Sequence, residues 1–126
     1  METVSIDRPI SANEAAIIGW LLDNAPMVDV APYRTRPPEE LRVQSACDCG
    51  CISVGFQPQL YPRGARIIAD ALAVYPDGQQ AGLILWGLDG SIVSLEVYDC
   101  HPDASHRMPG IVDLRTWDHS PSVSPD

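Results

Sequence analysis

The sequence contains no lysine, and its eight basic residues, all arginine, are outnumbered by seventeen acidic ones. The formal net charge of -9 creates a field that repels phosphate backbones and anionic lipid headgroups. We therefore expect neither nucleic acid nor a membrane surface as a partner. We attribute the lack of lysine to the coding bias of a high-GC genome and draw no function from it.

Long hydrophobic runs are also absent, since no apolar stretch approaches the length that spans a membrane. The first twenty residues carry Glu2, Asp7 and Glu14 among the apolar positions, which is unlike a signal peptide or an anchor. We expect a cytoplasmic protein. Its four cysteines would then stay thiols or serve metal or redox chemistry, with a disulfide framework less favoured.

A chain of 126 residues that is 45% apolar is long enough to bury one hydrophobic core. We expect a single α+β domain over residues 1–117 and a flexible tail rich in serine and proline over 118–126. The predicted architecture is an N-terminal helix packed on an antiparallel meander sheet of about five strands.

The helix is predicted over residues 11–24. Ser11 and Glu14 form a capping box, in which each side chain accepts a hydrogen bond from the other residue's backbone amide. Ile17 and Leu21 recur at helical spacing, so one face of the helix is apolar and should lie on the sheet.

Alternating apolar residues and tight turns predict the strands. Residues 66–75 also suit a helix, but the turn at Pro76-Asp77-Gly78 favours a strand with an antiparallel neighbour. In that strand Asp70 needs a polar partner, for which Arg66 is the candidate. The other predicted strands are 41–47, 52–56, 81–87 and a last strand that follows the Asp89-Gly90 hairpin turn.

Pairing of Leu88 with Ser91 is predicted to divide the last two strands into a core face and a half-wet face. The core face, under the helix, would hold Gly82, Ile84, Trp86, Val93, Leu95 and Val97. The half-wet face would hold Leu83, Leu85, Ile92, Ser94, Glu96 and Tyr98. A homodimer would form through the edge strands or through a surface of four of these residues, Leu83, Leu85, Ile92 and Tyr98.

Three cysteines alternate with Asp48 and Gly50 in the segment 47–51. Two loop lengths are possible there. A loop of three residues pairs Cys47 with Cys51, and a loop of four residues pairs Cys47 with Ile52. Zinc prefers thiolate and imidazole ligands, but one intervening residue in a strand sends the sulfurs apart and leaves Cys47 facing the core with Val54. The spacing gives only weak support for a metal site, whose candidate ligands are Cys47, Cys49, Cys51, Cys100, His101 and His106.

The segment after the last predicted strand also invites a thiol nucleophile, because His101 would lower the pKa of neighbouring Cys100. Adjacent strand residues point to opposite faces, however, and no catalytic signature surrounds Cys100. A divalent metal site of His101, Asp103 and His106 is another alternative, although the spacing selects no ion. A polar loop is the favoured interpretation, and we predict no catalytic residue.

The capped helix and the cysteine-rich hairpin are followed by Ile67-Ile68-Ala69-Asp70, by Leu85-Trp86-Gly87-Leu88-Asp89-Gly90 and by Leu95-Glu96-Val97-Tyr98. In this order, over roughly residues 10–115, the chain resembles a family of small uncharacterised bacterial domains that end in an LEVY-type strand. The resemblance implies an α+β fold and a partner-binding role, for instance as an immunity-like protein. It implies no catalytic residues.

Two functions follow as expectations. The favoured one is a non-enzymatic protein-binding domain whose acidic surface suits a basic protein partner. The alternative is a metal-binding or thiol-redox protein that uses the loop of Cys47, Cys49 and Cys51 together with Cys100 and His101. Zinc is the only cofactor considered, and it belongs to this alternative.

Overall fold

The computed structural model describes residues 3–49, 51–101 and 104–117, which form one α-helix and a seven-stranded antiparallel sheet. The helix α1 spans Ala12–Asn24, and the strands are β1 (Thr3–Pro9), β2 (Arg42–Cys47), β3 (Val54–Gly55), β4 (Arg66–Val74), β5 (Gln80–Leu88), β6 (Ser91–Asp99) and β7 (Leu114–Thr116). The predicted α+β class is confirmed, but the described sheet has seven strands rather than five. No described helix combines the length and the apolar character needed to cross a membrane.

The strands follow the order β1-β2-β3-β6-β5-β4-β7 across the sheet. Strands β4, β5 and β6 form the predicted meander, whereas β3 pairs with β6 and is separated from β4 by two strands. The connection 56–65 therefore crosses one face of the sheet, where Tyr61 packs against Trp86 of β5. The two strands that the sequence patterns did not predict, β1 and β7, lie at the two edges.

The start of α1 is held by the predicted capping box. The Ser11 hydroxyl accepts a hydrogen bond from the Glu14 amide at 3.0 Å, and the Glu14 carboxylate accepts one from the Ser11 amide at 2.9 Å. Arg8 of β1 donates two more to the same buried carboxylate, at 2.9 and 2.8 Å. Burial raises the pKa of Glu14, but the hydrogen bonds from Arg8 and Ser11 outweigh it and hold that pKa below its usual value.

The apolar face of α1 packs on the sheet. Ile17, Ile18 and Leu21 are fully buried in one cluster with apolar residues of β4, β5 and β6. Burial of each such side chain contributes about 1.5–3 kcal/mol. This layer is therefore the hydrophobic core that the sequence predicts.

A β-bulge decides which residues of β5 and β6 reach that core. Leu88 pairs with Ser91 as predicted, but the register shifts by one residue between Trp86 and Gly87. Beyond the bulge the pairs are Leu85 with Leu95, Ile84 with Glu96, Leu83 with Val97 and Gly82 with Tyr98. A shift of one residue turns the side chains of one strand over relative to the other.

The predicted faces of β5 are therefore wrong. Leu83 and Leu85 are fully buried in the core, whereas Ile84 and Trp86 lie half-buried on the opposite face. The surface proposed for self-association was built on Leu83 and Leu85, so it is not exposed. A homodimer stays a prediction without that surface.

Residues 66–75 form a strand rather than a helix, as predicted, because Arg66–Val74 is β4. The polar partner of Asp70 is different from the predicted one. Its carboxylate accepts a hydrogen bond at 2.8 Å from the indole N–H of Trp117, rather than pairing with Arg66. This bond fastens the chain after β7 to the sheet face opposite the helix.

Gly55 and Gly19 provide a matched test of how tightly the crossing segment 56–65 lies on β3. A Cβ atom at Gly55 would lie 2.1 Å from Ser45 Oγ and 3.2 Å from Leu60 Cα, whereas one at Gly19 would meet no atom within 4 Å. We expect Gly55→Ala to lower the free energy of unfolding by about 1–3 kcal/mol through overpacking. We expect Gly19→Ala, inside α1, to raise it by about 0.5–1 kcal/mol. Urea denaturation measures both, and a neutral Gly55→Ala would contradict this packing.

Candidate thiol and metal site

Three cysteines come together at the turn that follows β2. Cys47 is the last residue of β2, a turn begins at Asp48, and the Sγ atoms of Cys47, Cys49 and Cys51 all lie within 4.8 Å of one another. The prediction that single-residue spacing sends these sulfurs apart is wrong. Side chains alternate only within a strand, and this strand ends at the first of the three cysteines.

The connection between β2 and β3 is also longer than either loop considered from the sequence. Ala46 pairs with Val54, so Cys47 pairs with neither Cys51 nor Ile52. Val54 shares a face of the sheet with Ala46, and Cys47 belongs to the opposite face. Cys47 is buried as predicted, only 7% exposed, but the prediction that it shares a face with Val54 is wrong.

Hydrogen bonds connect the three cysteines, and one of them joins two sulfurs directly. The Cys47 thiol donates to the sulfur of Cys49, with 2.6 Å between the two Sγ atoms. The backbone amide of Cys49 donates to the Cys47 sulfur at 3.2 Å, and that of Cys51 donates to the Cys49 sulfur at 3.5 Å. Cys49 is exposed, Cys47 is buried and Cys51 is intermediate, so the linked sulfurs have unequal access to solvent.

This asymmetry separates the acidities of the two bonded thiols. Burial raises the pKa of Cys47 to about 11, and its hydrogen bond to Cys49 and the neighbouring negative charges act in the same direction. The hydrogen bond from Cys47 lowers the pKa of Cys49, as do those from the amide and the thiol of Cys51. The exposed sulfur of Cys49 is therefore the one that ionises first.

An acidic and aromatic patch lies near the cluster, on the sheet face opposite the helix. Tyr61 packs edge-on against Trp86, with ring centroids 5.9 Å apart, and Trp86 donates its indole N–H to Glu96 at 2.9 Å. Burial, and then the negative charges of Glu96 and two of the cysteines, raise the pKa of Tyr61. We define the acidic aromatic face as Tyr61, Asp70, Trp86, Glu96 and Trp117.

The second predicted group does not join the three sulfurs. Cys100 is exposed directly after β6, and His101 Nδ1 accepts a hydrogen bond from the Gln80 amide at 2.9 Å. His106 is exposed in the turn Ala104–His106, and Asp103 lies outside the described residues. Within the described chain the three cysteines of the turn form a group that does not include Cys100 or His101.

Comparison of the chain with protein-family models, curated proteins and solved structures found no match. The resemblance to small bacterial domains with an LEVY-type strand therefore stays a prediction.

Cys49 is expected to be the most reactive thiol of the protein. Because its thiolate is stabilised by the Cys47 thiol, the pH at half-maximal alkylation should lie below about 8.5, the value of an ordinary cysteine. Cys47→Ala removes the donor and should raise that pH, whereas Cys47→Ser keeps a hydroxyl donor and should raise it less. Alkylation rates followed by peptide mass spectrometry check this. Burial and Asp99 raise the pKa of Cys100, so a faster reaction at Cys100 would contradict it.

Proposed function

We propose that this protein performs thiol–disulfide exchange, with Cys49 as the attacking thiolate and Cys47 as the resolving thiol. The proposal is carried by the 2.6 Å between their Sγ atoms, one exposed and the other buried. An exposed thiolate reaches the disulfide of a substrate. The buried thiol beside it is shielded from solvent reagents until a mixed disulfide forms.

The reaction transfers two electrons from the cysteine pair to a substrate disulfide, R–S–S–R′. Cys49 Sγ attacks one substrate sulfur and forms the Cys49–S–S–R bond, while R′–S⁻ leaves and takes up a proton. Cys47 then gives its proton to solvent, and its thiolate attacks Cys49 Sγ and displaces R–S⁻. The products are a Cys47–Cys49 disulfide and two substrate thiols.

The acidity of Cys47 changes in the direction that the second step needs. In the reduced pair, burial and the hydrogen bond to Cys49 raise the pKa of Cys47 and keep its thiol protonated. Conversion of Cys49 to a mixed disulfide removes its negative charge and its role as acceptor, so the pKa of Cys47 falls. The resolving thiolate therefore forms after the attack rather than before it.

Cys47→Ser and Cys51→Ser form a matched pair that tests this assignment. With glutathione disulfide as substrate, the wild type should release two thiols per chain and become lighter by two hydrogen atoms through the Cys47–Cys49 bond. Cys51→Ser should do the same. Cys47→Ser should stop after one released thiol, with glutathione retained on Cys49. Intact and peptide mass spectrometry distinguish these products.

The double variant Cys47→Ser/Cys51→Ser is the control for Cys51 acting as a substitute resolving thiol. It should hold the glutathione adduct at least as long as Cys47→Ser. Loss of closure in Cys51→Ser with normal closure in Cys47→Ser would refute the role of Cys47. An adduct on Cys100 in place of Cys49 would refute the role of Cys49.

As a second candidate function, we propose docking of a basic protein on the acidic aromatic face. Asp70 and Glu96 each accept a hydrogen bond from an indole, and within the described chain neither carboxylate forms an ion pair with an arginine. Their charges therefore remain uncompensated beside half-exposed aromatic rings. Arginine side chains bind such surfaces through both ion pairing and cation–π contact.

An arginine-rich model peptide tests this second candidate. Glu96→Gln should weaken its binding severalfold, since a solvent-accessible ion pair contributes at most about 1 kcal/mol, and added salt should weaken it further. Glu39→Gln makes the same change of charge in the turn Pro38–Glu40, which contacts α1, and should have less effect. Fluorescence anisotropy of the labelled peptide measures all three. If the two variants weakened binding equally, the peptide would be held only by non-specific attraction to the net charge, and the acidic aromatic face would be rejected as its binding site.

A further inference from the structure

We infer that Cys47, Cys49 and Cys51 form a binding site for a soft, thiophilic metal ion, and that Cu(I) is the ion that their sulfurs fit best. The three Sγ atoms lie within 4.8 Å of one another at a single turn. Cys51 forms no bond to sulfur in the exchange reaction proposed above, where it only donates hydrogen bonds to Cys49. The metal site therefore goes beyond that function, because it uses the Cys51 sulfur as a ligand.

The donor set determines the class of ion. Within the described chain, the ligand group contains sulfur alone, with no histidine nitrogen or carboxylate oxygen. Thiolate ligands select Cu(I), zinc and iron–sulfur clusters over hard cations such as Mg²⁺ and Ca²⁺. Structural zinc and the common iron–sulfur clusters are held by four protein ligands. Cu(I) accepts three sulfur ligands, which is the number that this turn supplies.

Binding requires a small movement of one sulfur. Three sulfurs at about 2.3 Å from one ion in a plane stand about 4 Å apart. The pair Cys47 and Cys49, now 2.6 Å apart, must therefore separate, but the resulting spacing stays within the 4.8 Å that the group already spans. Cys49 is the sulfur free to move, because it is exposed in the turn whereas Cys47 is buried.

Backbone amides help to hold several thiolates together. The Cys49 amide points at the Cys47 sulfur at 3.2 Å and the Cys51 amide at the Cys49 sulfur at 3.5 Å, so two of the three ligands already accept a backbone hydrogen bond. Such outer hydrogen bonds reduce the repulsion between thiolates and orient them. The ion must displace the thiol protons, so its affinity decreases as the pH falls. A Cys47–Cys49 disulfide removes two ligands and abolishes binding.

A competition titration tests the site on the full chain, reduced and free of oxygen. Cu(I) is offered together with a coloured Cu(I) chelator, and the fraction that the protein withdraws from the chelator is measured. We expect one ion per wild-type chain and at least a tenfold weaker affinity in Cys51→Ser, since loss of an outer-shell partner alone typically costs about 10–100-fold. Cys100→Ser, which removes an exposed thiol outside the cluster, should bind like the wild type. Circular dichroism confirms that the variants are folded.

Three outcomes would overturn the inference. They are Cu(I) left entirely on the chelator by the wild type, an unchanged affinity in Cys51→Ser, and displacement of bound Cu(I) by an equal concentration of Zn(II). Cys51→Ser also keeps this result separate from the exchange reaction. If Cys51→Ser binds Cu(I) weakly but still forms the Cys47–Cys49 disulfide, the metal site is supported independently of the exchange reaction. If the wild type binds Cu(I) normally but does not form that disulfide, only the exchange reaction is rejected.

Discussion

A one-residue bulge between β5 and β6 determines which side chains of the sheet meet the helix. The bulge lies beside Gly87. A Cβ atom there would come within 2.5 Å of the Tyr33 ring, so the close approach of Tyr33 to β5 requires glycine. The shift turns Leu83 and Leu85 toward α1 and leaves Trp86 on the opposite face. Trp86 therefore belongs to the acidic aromatic face because of that shift.

The helix and the meander of β4, β5 and β6 were predictable because their signals are local. Ser11 and Glu14 cap the helix within one turn, and Asp89 and Gly90 have positive φ values of 51° and 82° that suit the hairpin. The edge strands give weaker signals. Val4 and Ile6 of β1 alternate with polar residues over only five positions and are both exposed, so they mark no buried face, and β7 has three residues. Their positions, like the bulge, depend on pairing with distant segments.

The candidate site was predictable in composition and not in geometry. The alternating cysteines of segment 47–51 are plain in the sequence, but their convergence depends on β2 ending at Cys47. If the alternation of side chains in a strand is assumed to continue beyond Cys47, the sulfurs are wrongly placed apart. The distinction between an acidic, exposed Cys49 and a buried Cys47 depends on tertiary burial, which no local pattern contains. Cys100 and His101 are near each other in sequence, yet His101 is occupied by the Gln80 amide.

The pairing of Thr3 with Cys47 joins the outermost strand to the cysteine turn. Strand β1 has a neighbour in the sheet on one side only, and beyond that ladder it is held to the helix by Arg8. A displacement of Cys47 therefore acts directly on the beginning of an edge strand through this pairing. The rate of amide hydrogen exchange at the beginning of β1 should therefore report whether the sulfurs are oxidised or bound to metal, without a label on the cysteines.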